Sequence, residues 1–255
     1  MKFLVSYCTD KGIKKDVNQD SFCVKLAKWN GKEIIFVAIC DGMGGLSDGE
    51  LASASVIRAF SSWFDNEILQ LLERGISLEI LRERWEKIIF EQNKLISTYG
   101  KNKNKKLGTT VVCFMGVEEN YYIANVGDSR AYEIYDSVKQ ITKDHTLIAR
   151  EIELGNITEE EAKQDSRKNI LLQCVGASEK INVDFFVNRL KKDSSYLLCS
   201  DGFRNKISKK EIYKALNPNI LTSNEIINLK INELIEISKS RKEKDNITAV
   251  LVKTY

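Results

Sequence analysis

Residues Ile34 to Cys40 form an unbroken apolar run rich in β-branched side chains, and a strand of that composition needs cover on both faces. The run stops at Asp41, followed by Gly42, Gly44 and Gly45, so a carboxylate leaves a rigid strand beside backbone that other groups can approach closely. Such a corner suits a metal ion. Ser47-Asp-Gly-Glu50 has the spacing of a capping box opening a helix over Leu51 to Phe60, whose first amides would favour an anion at the same corner. Taken alone, Asp41-Gly42 is also what an ordinary turn looks like. The glycines do not make a phosphate-binding loop: no Gly-Lys-Ser/Thr follows, and Gly42-x-Gly44 leads to Ser47 rather than to a third glycine.

Repetition separates these readings. Tyr121 to Val126 ends in Gly127-Asp128, Tyr196 to Cys199 ends in Ser200-Asp201-Gly202, and Asp245-Asn246 immediately precedes Ile247 to Val252. Four carboxylates at strand ends predict a cluster. All-oxygen ligation selects hard octahedral ions, Mg²⁺ or Mn²⁺, and two of them about 4 Å apart can share a hydroxide aimed at a phosphate.

Several other chemistries are excluded. His145 is the one histidine, so a His-rich zinc site and the H-E-x-x-H motif are absent, and a lone histidine is more often structural than catalytic. None of the six cysteines has an arginine six residues later, which removes the thiolate phosphatase loop, and none sits in C-x-x-C spacing. They read as small buried residues in a reducing cytosol. A net charge of +3, from 39 basic and 36 acidic residues, gives no reason to expect nucleic acid or a membrane surface as partner. No window approaches the roughly 18 apolar residues of a spanning helix, and no cleavable leader is visible, so a soluble, cytoplasmic protein is expected.

Along the chain, Phe3 to Tyr7, Phe22 to Leu26 and Ile34 to Cys40 predict strands, the last two joined by the turn Trp29-Asn-Gly-Lys32. Ser77 to Tyr99 carries a core-facing stripe at the helical period, ended by Gly100, and Lys101 to Lys106 reads as a solvated loop. Strands resume at Thr109 to Met115, Tyr121 to Val126, Arg130 to Tyr135 and Val138 to Ile141. Asp144 to Ser178 breaks the pattern as an excursion, and strands return at Ile181 to Val187 and Tyr196 to Cys199. Ser208-x-x-Glu211 and Thr222-x-x-Glu225 predict two capped helices before a last strand, Ile247 to Lys253. With 43% apolar residues, meandering strands and no βαβ alternation, the expectation is an α+β fold over residues 1–255 as a single domain: two antiparallel sheets packed together and flanked by helices.

Asn18-Gln-Asp-Ser-Phe22, Cys40-Asp-Gly-Met-Gly-Gly45, Gly108-Thr-Thr110, Asn125-Val-Gly-Asp-Ser-Arg130, Cys199-Ser-Asp-Gly202 and Asp245-Asn-Ile-Thr248 resemble, in order and spacing, the protein phosphatase 2C family of metal-dependent serine/threonine phosphatases, most closely its bacterial members. The resemblance spans essentially the whole chain. It implies a four-layer αββα sandwich, with Asp41 bridging two metal ions. Asp20, Asp201, Asp245 and the Gly42 carbonyl complete their shells, directly or through water, and Asp128 helps to hold a third, weaker ion. Residues 144–169 resemble the mobile flap beside the site.

Two positions depart from the family pattern. The arginine that usually grips the substrate phosphate is replaced by Lys15, which brings a point charge in place of a bidentate fork. Met43 stands where eukaryotic members often have histidine, so water on a metal must protonate the leaving group or the alkoxide must leave with metal assistance. The function implied is hydrolysis of phosphoserine and phosphothreonine by in-line attack of a metal-bridging hydroxide, in which Asp41 and Asp201 are the central ligands. Phosphorylated proteins are the expected partners, in opposition to a serine/threonine kinase, and a monomer is the expected state. The alternative is a catalytically weak phosphatase-like module that binds one dedicated phosphoprotein.

Overall fold

A computed structural model describes residues 1–44 and 48–255. Among the described residues, eleven strands form two antiparallel sheets. One contains β1 (Phe3–Asp10), β11 (Ile247–Thr254), β10 (Ser195–Cys199), β7 (Arg130–Ile134) and β8 (Val138–Gln140), in that spatial order. The other runs β2 (Asp20–Trp29), β3 (Lys32–Gly44), β5 (Val111–Val117), β6 (Asn120–Val126) and β9 (Asp184–Arg189), with the short β4 (Leu107–Thr109) paired to the end of β3. Helices α1 (Gly49–Arg74) and α2 (Leu78–Lys103) cover the second sheet; α5 (Asp201–Arg204), α6 (Lys209–Leu216) and α7 (Asn224–Ser240) cover the first. The expected four-layer αββα architecture is the observed one. Among the described residues no helix is long and apolar enough to cross a membrane.

The apolar run at 34–40 is fully buried because its two sides face different cores. Ile35, Val37 and Ile39 pack between the sheets with Phe114, Tyr196, Val250 and Val252. Phe36 points the other way, into a nest of Phe60, Trp63, Phe64 and Trp85 from α1 and α2 with ring centroids 5.5–5.9 Å apart. An aromatic so enclosed contributes about 3–5 kcal/mol on truncation to alanine. The parity matters for function: Asp41 continues the odd-numbered series and leaves the strand on the side between the two sheets.

Local corrections concern element ends. The first helix extends from Gly49 to Arg74 rather than over 51–60, and its first residue follows Asp48, whose side chain pairs with Lys105 and makes no capping bond. The Ser47 cap lies outside the described residues. The second helix passes through Gly100 and stops at Lys103, where Asn104 adopts the left-handed conformation (φ 53°). Thr109 to Met115 is broken into β4 and β5 at Thr110, and the strand expected from Ile181 starts at Asp184. Ser208 forms its capping box with Glu211, whereas α7 is capped by Ser223, one residue after the Thr222 expected.

Candidate active site

The carboxylates meet at one end of the sandwich, where both sheets terminate. Asp20 begins β2 and stands directly opposite Asp41 in the β2–β3 register. Asp201 opens α5 right after β10, and Asp245 lies just before β11, the strand paired to β10. Asp128 follows β6. The structure thus gathers Asp20, Asp41, Asp128, Asp201 and Asp245 in one neighbourhood, each contributing to the electrostatics of another.

Close backbone approach makes this convergence possible. A Cβ on Gly42 would lie 2.2 Å from the Gly49 carbonyl oxygen and 2.5 Å from that of Gln19; one on Gly202 would lie 2.1 Å from the Asn246 carbonyl oxygen. Glycine after Asp41 therefore lets α1 and the 19–20 segment close on β3, and glycine after Asp201 lets α5 press against the 245–246 corner. The Gly108-Thr-Thr110 motif holds Asp41 by its backbone. The Asp41 N–H donates to Thr110 Oγ1 at 2.9 Å, and the Asp41 carbonyl accepts from Thr109 Oγ1 and from the Thr110 N–H, both at 2.9 Å.

Three further residues hold the carboxylates and the loops around them in place. Ser200 Oγ donates to Asp20 Oδ2 at 2.9 Å, linking the two sheets through a ligand candidate. Asn246 accepts from the Gln19 N–H at 2.9 Å and donates to the carbonyls of Lys11 and Val17, so it fastens the 11–19 loop to the site. Arg204 Nη2 donates to Asp128 Oδ2 and to the Asp128 carbonyl, and lies 3.6 Å from Asp144. Ser200 and Asn246 lie within Cys199-Ser-Asp-Gly202 and Asp245-Asn-Ile-Thr248, but only tertiary contacts reveal what they hold.

The electrostatics fit a cation. Burial, and then the neighbouring carboxylates Asp20, Asp201, Asp128 and Asp245, push Asp41 well above the usual carboxylate range. Burial pushes Asp20 up to about 7 against the hydrogen bonds from Thr248 and Ser200, and pushes Asp128 up to about 6 against the opposing Arg204 charge. Asp20 Oδ1 and Asp201 Oδ1 are buried without a hydrogen-bond partner. Buried carboxylate oxygens without a partner are costly in the ionised form unless a cation meets them, and an all-oxygen donor set matches Mg²⁺ or Mn²⁺, although among the described residues no three such groups already stand close enough to hold one ion together. In donor chemistry, these carboxylates fit a hard divalent ion.

Lys15 lies on the rim, its Nζ 2.9 Å from Asp245 Oδ1. Burial works against its charge, but the Asp245 hydrogen bond and the charges of Asp41 and Asp201 hold it above the ordinary lysine value. It borders an open cleft of about 780 Å³ that also contacts Gln19, Asp201, Asp245 and, from the excursion, Lys168 and Asn169. That excursion contains helices α3 (Leu147–Glu153) and α4 (Glu159–Gln164). Its base is closed where Leu147 donates to the Ile170 carbonyl and Leu172 to that of His145. Arg130 grips Asp144 bidentately at 2.8 and 2.6 Å. His145 Nδ1 accepts from the Gly127 N–H and from Gln173, which assigns its proton to Nε2 facing Asp184. The single histidine anchors the excursion and does not line the cleft.

The sequence profile of the Protein phosphatase 2C family matches residues 11–228. The serine/threonine phosphatase stp of Listeria monocytogenes serotype 4b is 36% identical over 249 residues, 96% of this chain and 93% of that protein. The solved structure of serine/threonine phosphatase Stp1 from Staphylococcus aureus superposes with a TM-score of 0.85 at 28% identity, covering 100% of this chain and 96% of that one. The catalytic domain of serine/threonine protein phosphatase PstP, solved in complex with two manganese ions, matches with a TM-score of 0.77 at 25% identity, covering 99% of each chain. The chain belongs to the protein phosphatase 2C family of metal-dependent serine/threonine phosphatases.

Proposed function

We propose that the protein hydrolyses phosphoserine and phosphothreonine in phosphorylated proteins by direct in-line attack of water. The observation that carries this reading is the convergence of Asp20, Asp41, Asp201 and Asp245 beside an open cleft, with buried carboxylate oxygens left unpartnered. Two divalent ions, Mn²⁺ or Mg²⁺, supply an activated water and positive charge for the phosphate when bound. Asp41 and Asp201 are the central ligands, Asp20, Asp245 and the Gly42 carbonyl complete the set, and Asp128 serves a third, weaker ion. Lys15 holds a phosphate oxygen. Neither histidine nor cysteine nor serine is among the described residues lining the cleft, which favours water over a covalent enzyme nucleophile. With His145 committed to Asp184 and Gln173, no imidazole is placed to protonate the leaving oxygen.

The protein works as a single-domain monomer in the cytoplasm, opposing a serine/threonine kinase, and the flap at 144–169 governs substrate access. Hydrolysis of p-nitrophenyl phosphate and of a phosphothreonine peptide, with Mn²⁺ and with EDTA, tests the reading. Mn²⁺-dependent turnover of both supports it; turnover of neither, or turnover that survives EDTA, overturns it.

A further inference from the structure

The cleft is acidic at its floor and basic at its rim. Lys14, Lys15, Lys168, Lys206, Lys242 and Lys244 all border it. They come from four separate places: the loop between β1 and β2, the 144–169 excursion, the turn after α5 and the turn before β11. A run of lysines close in sequence is usually a solvated face, but four distant segments delivering lysine to one opening is a property of the tertiary fold. Lys15 is tied to Asp245. The other five side chains are exposed or at the cleft mouth and make no ion pair among the described residues, unlike Lys25, Lys32 and Lys239 elsewhere on the surface. Two carboxylates apart from the ligand candidates also border the cleft. Asp16 is exposed, and the buried Glu243 is engaged by the N–H groups of Lys244 and Asp245. The rim therefore presents a surplus of unneutralised ammonium groups.

A single phosphate on a neutral peptide would use only the charge next to the carboxylate floor. We propose that the rim selects substrates carrying further negative charge on either side of the phosphorylated residue, as acidic side chains or as a second phosphate, with Lys168, Lys206 and Lys244 as specificity-determining residues. This rests on the phosphatase reading above and names the substrate class of the same site. Ammonium groups so spread act as a field over several residues of an extended peptide. They raise encounter rate and affinity for anionic chains while leaving the chemistry at the phosphate unchanged.

The test compares three phosphothreonine peptides of one backbone, flanked by glutamates, by glutamines, or by glutamines and a second phosphothreonine, with p-nitrophenyl phosphate as a probe that does not reach the rim. At about 50 mM salt, where screening is weak, kcat/KM for a charged peptide should exceed that for the glutamine peptide about tenfold, and the gap should close near 0.5 M salt. The variant K168Q/K206Q/K244Q should lose most of the gap, through KM, with p-nitrophenyl phosphate turnover within about twofold of the unmodified protein. A gain with the glutamate peptide assigns the rim to acidic side chains; a gain confined to the doubly phosphorylated peptide assigns it to a second phosphate. Equal kcat/KM for all three peptides at low salt, a gap that persists in the triple variant, or a single-stranded oligonucleotide that binds more tightly than any peptide overturns the proposal. If p-nitrophenyl phosphate is not hydrolysed, the phosphatase reading has failed. Fluorescence anisotropy with the same labelled peptides then decides the rim separately by the same comparison.

Discussion

Asp20 and Asp41 face each other directly across the antiparallel pair β2–β3, two carboxylates on one side of a sheet with Asp201 and Asp245 brought in from the other. Like charges opposite each other in a ladder are unfavourable, and here Asp20 is buried and Asp41 partly so. Their proximity to Asp201 and Asp245 disfavours the fully ionised cluster.

Metal-free protein should lose stability as pH rises. Asp20 titrates near 7 in the folded chain against about 4 unfolded, so between those values the unfolded state ionises first and the folded state is penalised, fully so above pH 7. Asp41, raised in the same direction, adds to the effect. Thermal melting in EDTA should show a Tm that falls from pH 5 to pH 7.5, and millimolar Mn²⁺ should restore it most at the higher pH. A Tm independent of both pH and Mn²⁺ would remove the metal site.

Asp41→Asn and Asp201→Asn should each lower Mn²⁺-dependent turnover by several orders of magnitude, because a lost ligand charge loosens the ions and leaves the water less acidic. The same substitutions should raise the Tm of the metal-free protein, since each removes one of the mutually repelling charges. Opposite signs for activity and apo stability distinguish a ligand from a structural carboxylate.

Lys15→Ala should raise KM for a phosphopeptide about five- to tenfold, corresponding to about 1 kcal/mol for a charge-assisted contact, with a smaller change in kcat. Lys15→Arg should lower KM, since guanidinium adds a second parallel donor. Steady-state kinetics decide it: an unchanged KM in Lys15→Ala would reduce the residue to a partner of Asp245.

Arg204→Ala should destabilise the protein by about 3 kcal/mol in urea unfolding, because Asp128 is largely buried and would lose its cationic partner. Asp128→Asn is expected to lower turnover while the two tighter ions remain bound, as read by calorimetric Mn²⁺ titration. Full activity of Asp128→Asn would end the third-ion role.

Replacing residues 149–168 by a short Gly/Ser linker should reduce rates on a phosphoprotein far more than on p-nitrophenyl phosphate, because the base of the excursion is closed by Leu147–Ile170 and Leu172–His145 bonds outside the deletion. Equal losses on both substrates would place the excursion in the chemistry.

The sequence by itself determined the doubly covered run 34–40 and the αββα class, because burial on both faces is a local, periodic property of the chain, whereas the strand expected to stop before Asp41 runs on to Gly44, where β4 pairs with it. Lys15 was singled out only by the family resemblance, as the residue standing where an arginine is usual, and the tertiary structure pairs it with Asp245. Helix ends were less legible. Gly100 looked like a stop, yet the helix passes through it, since a single glycine costs only about 1 kcal/mol and packing outweighs that. Only the tertiary structure decided that Ser200 and Asn246 brace Asp20 and the 11–19 loop, and that Arg204 neutralises Asp128. The partners are 180, 227 and 76 positions apart, and no periodicity records a contact of that range. The same holds for the lysine rim, whose charges from four distant segments share one opening because both sheets end on the same side of the sandwich.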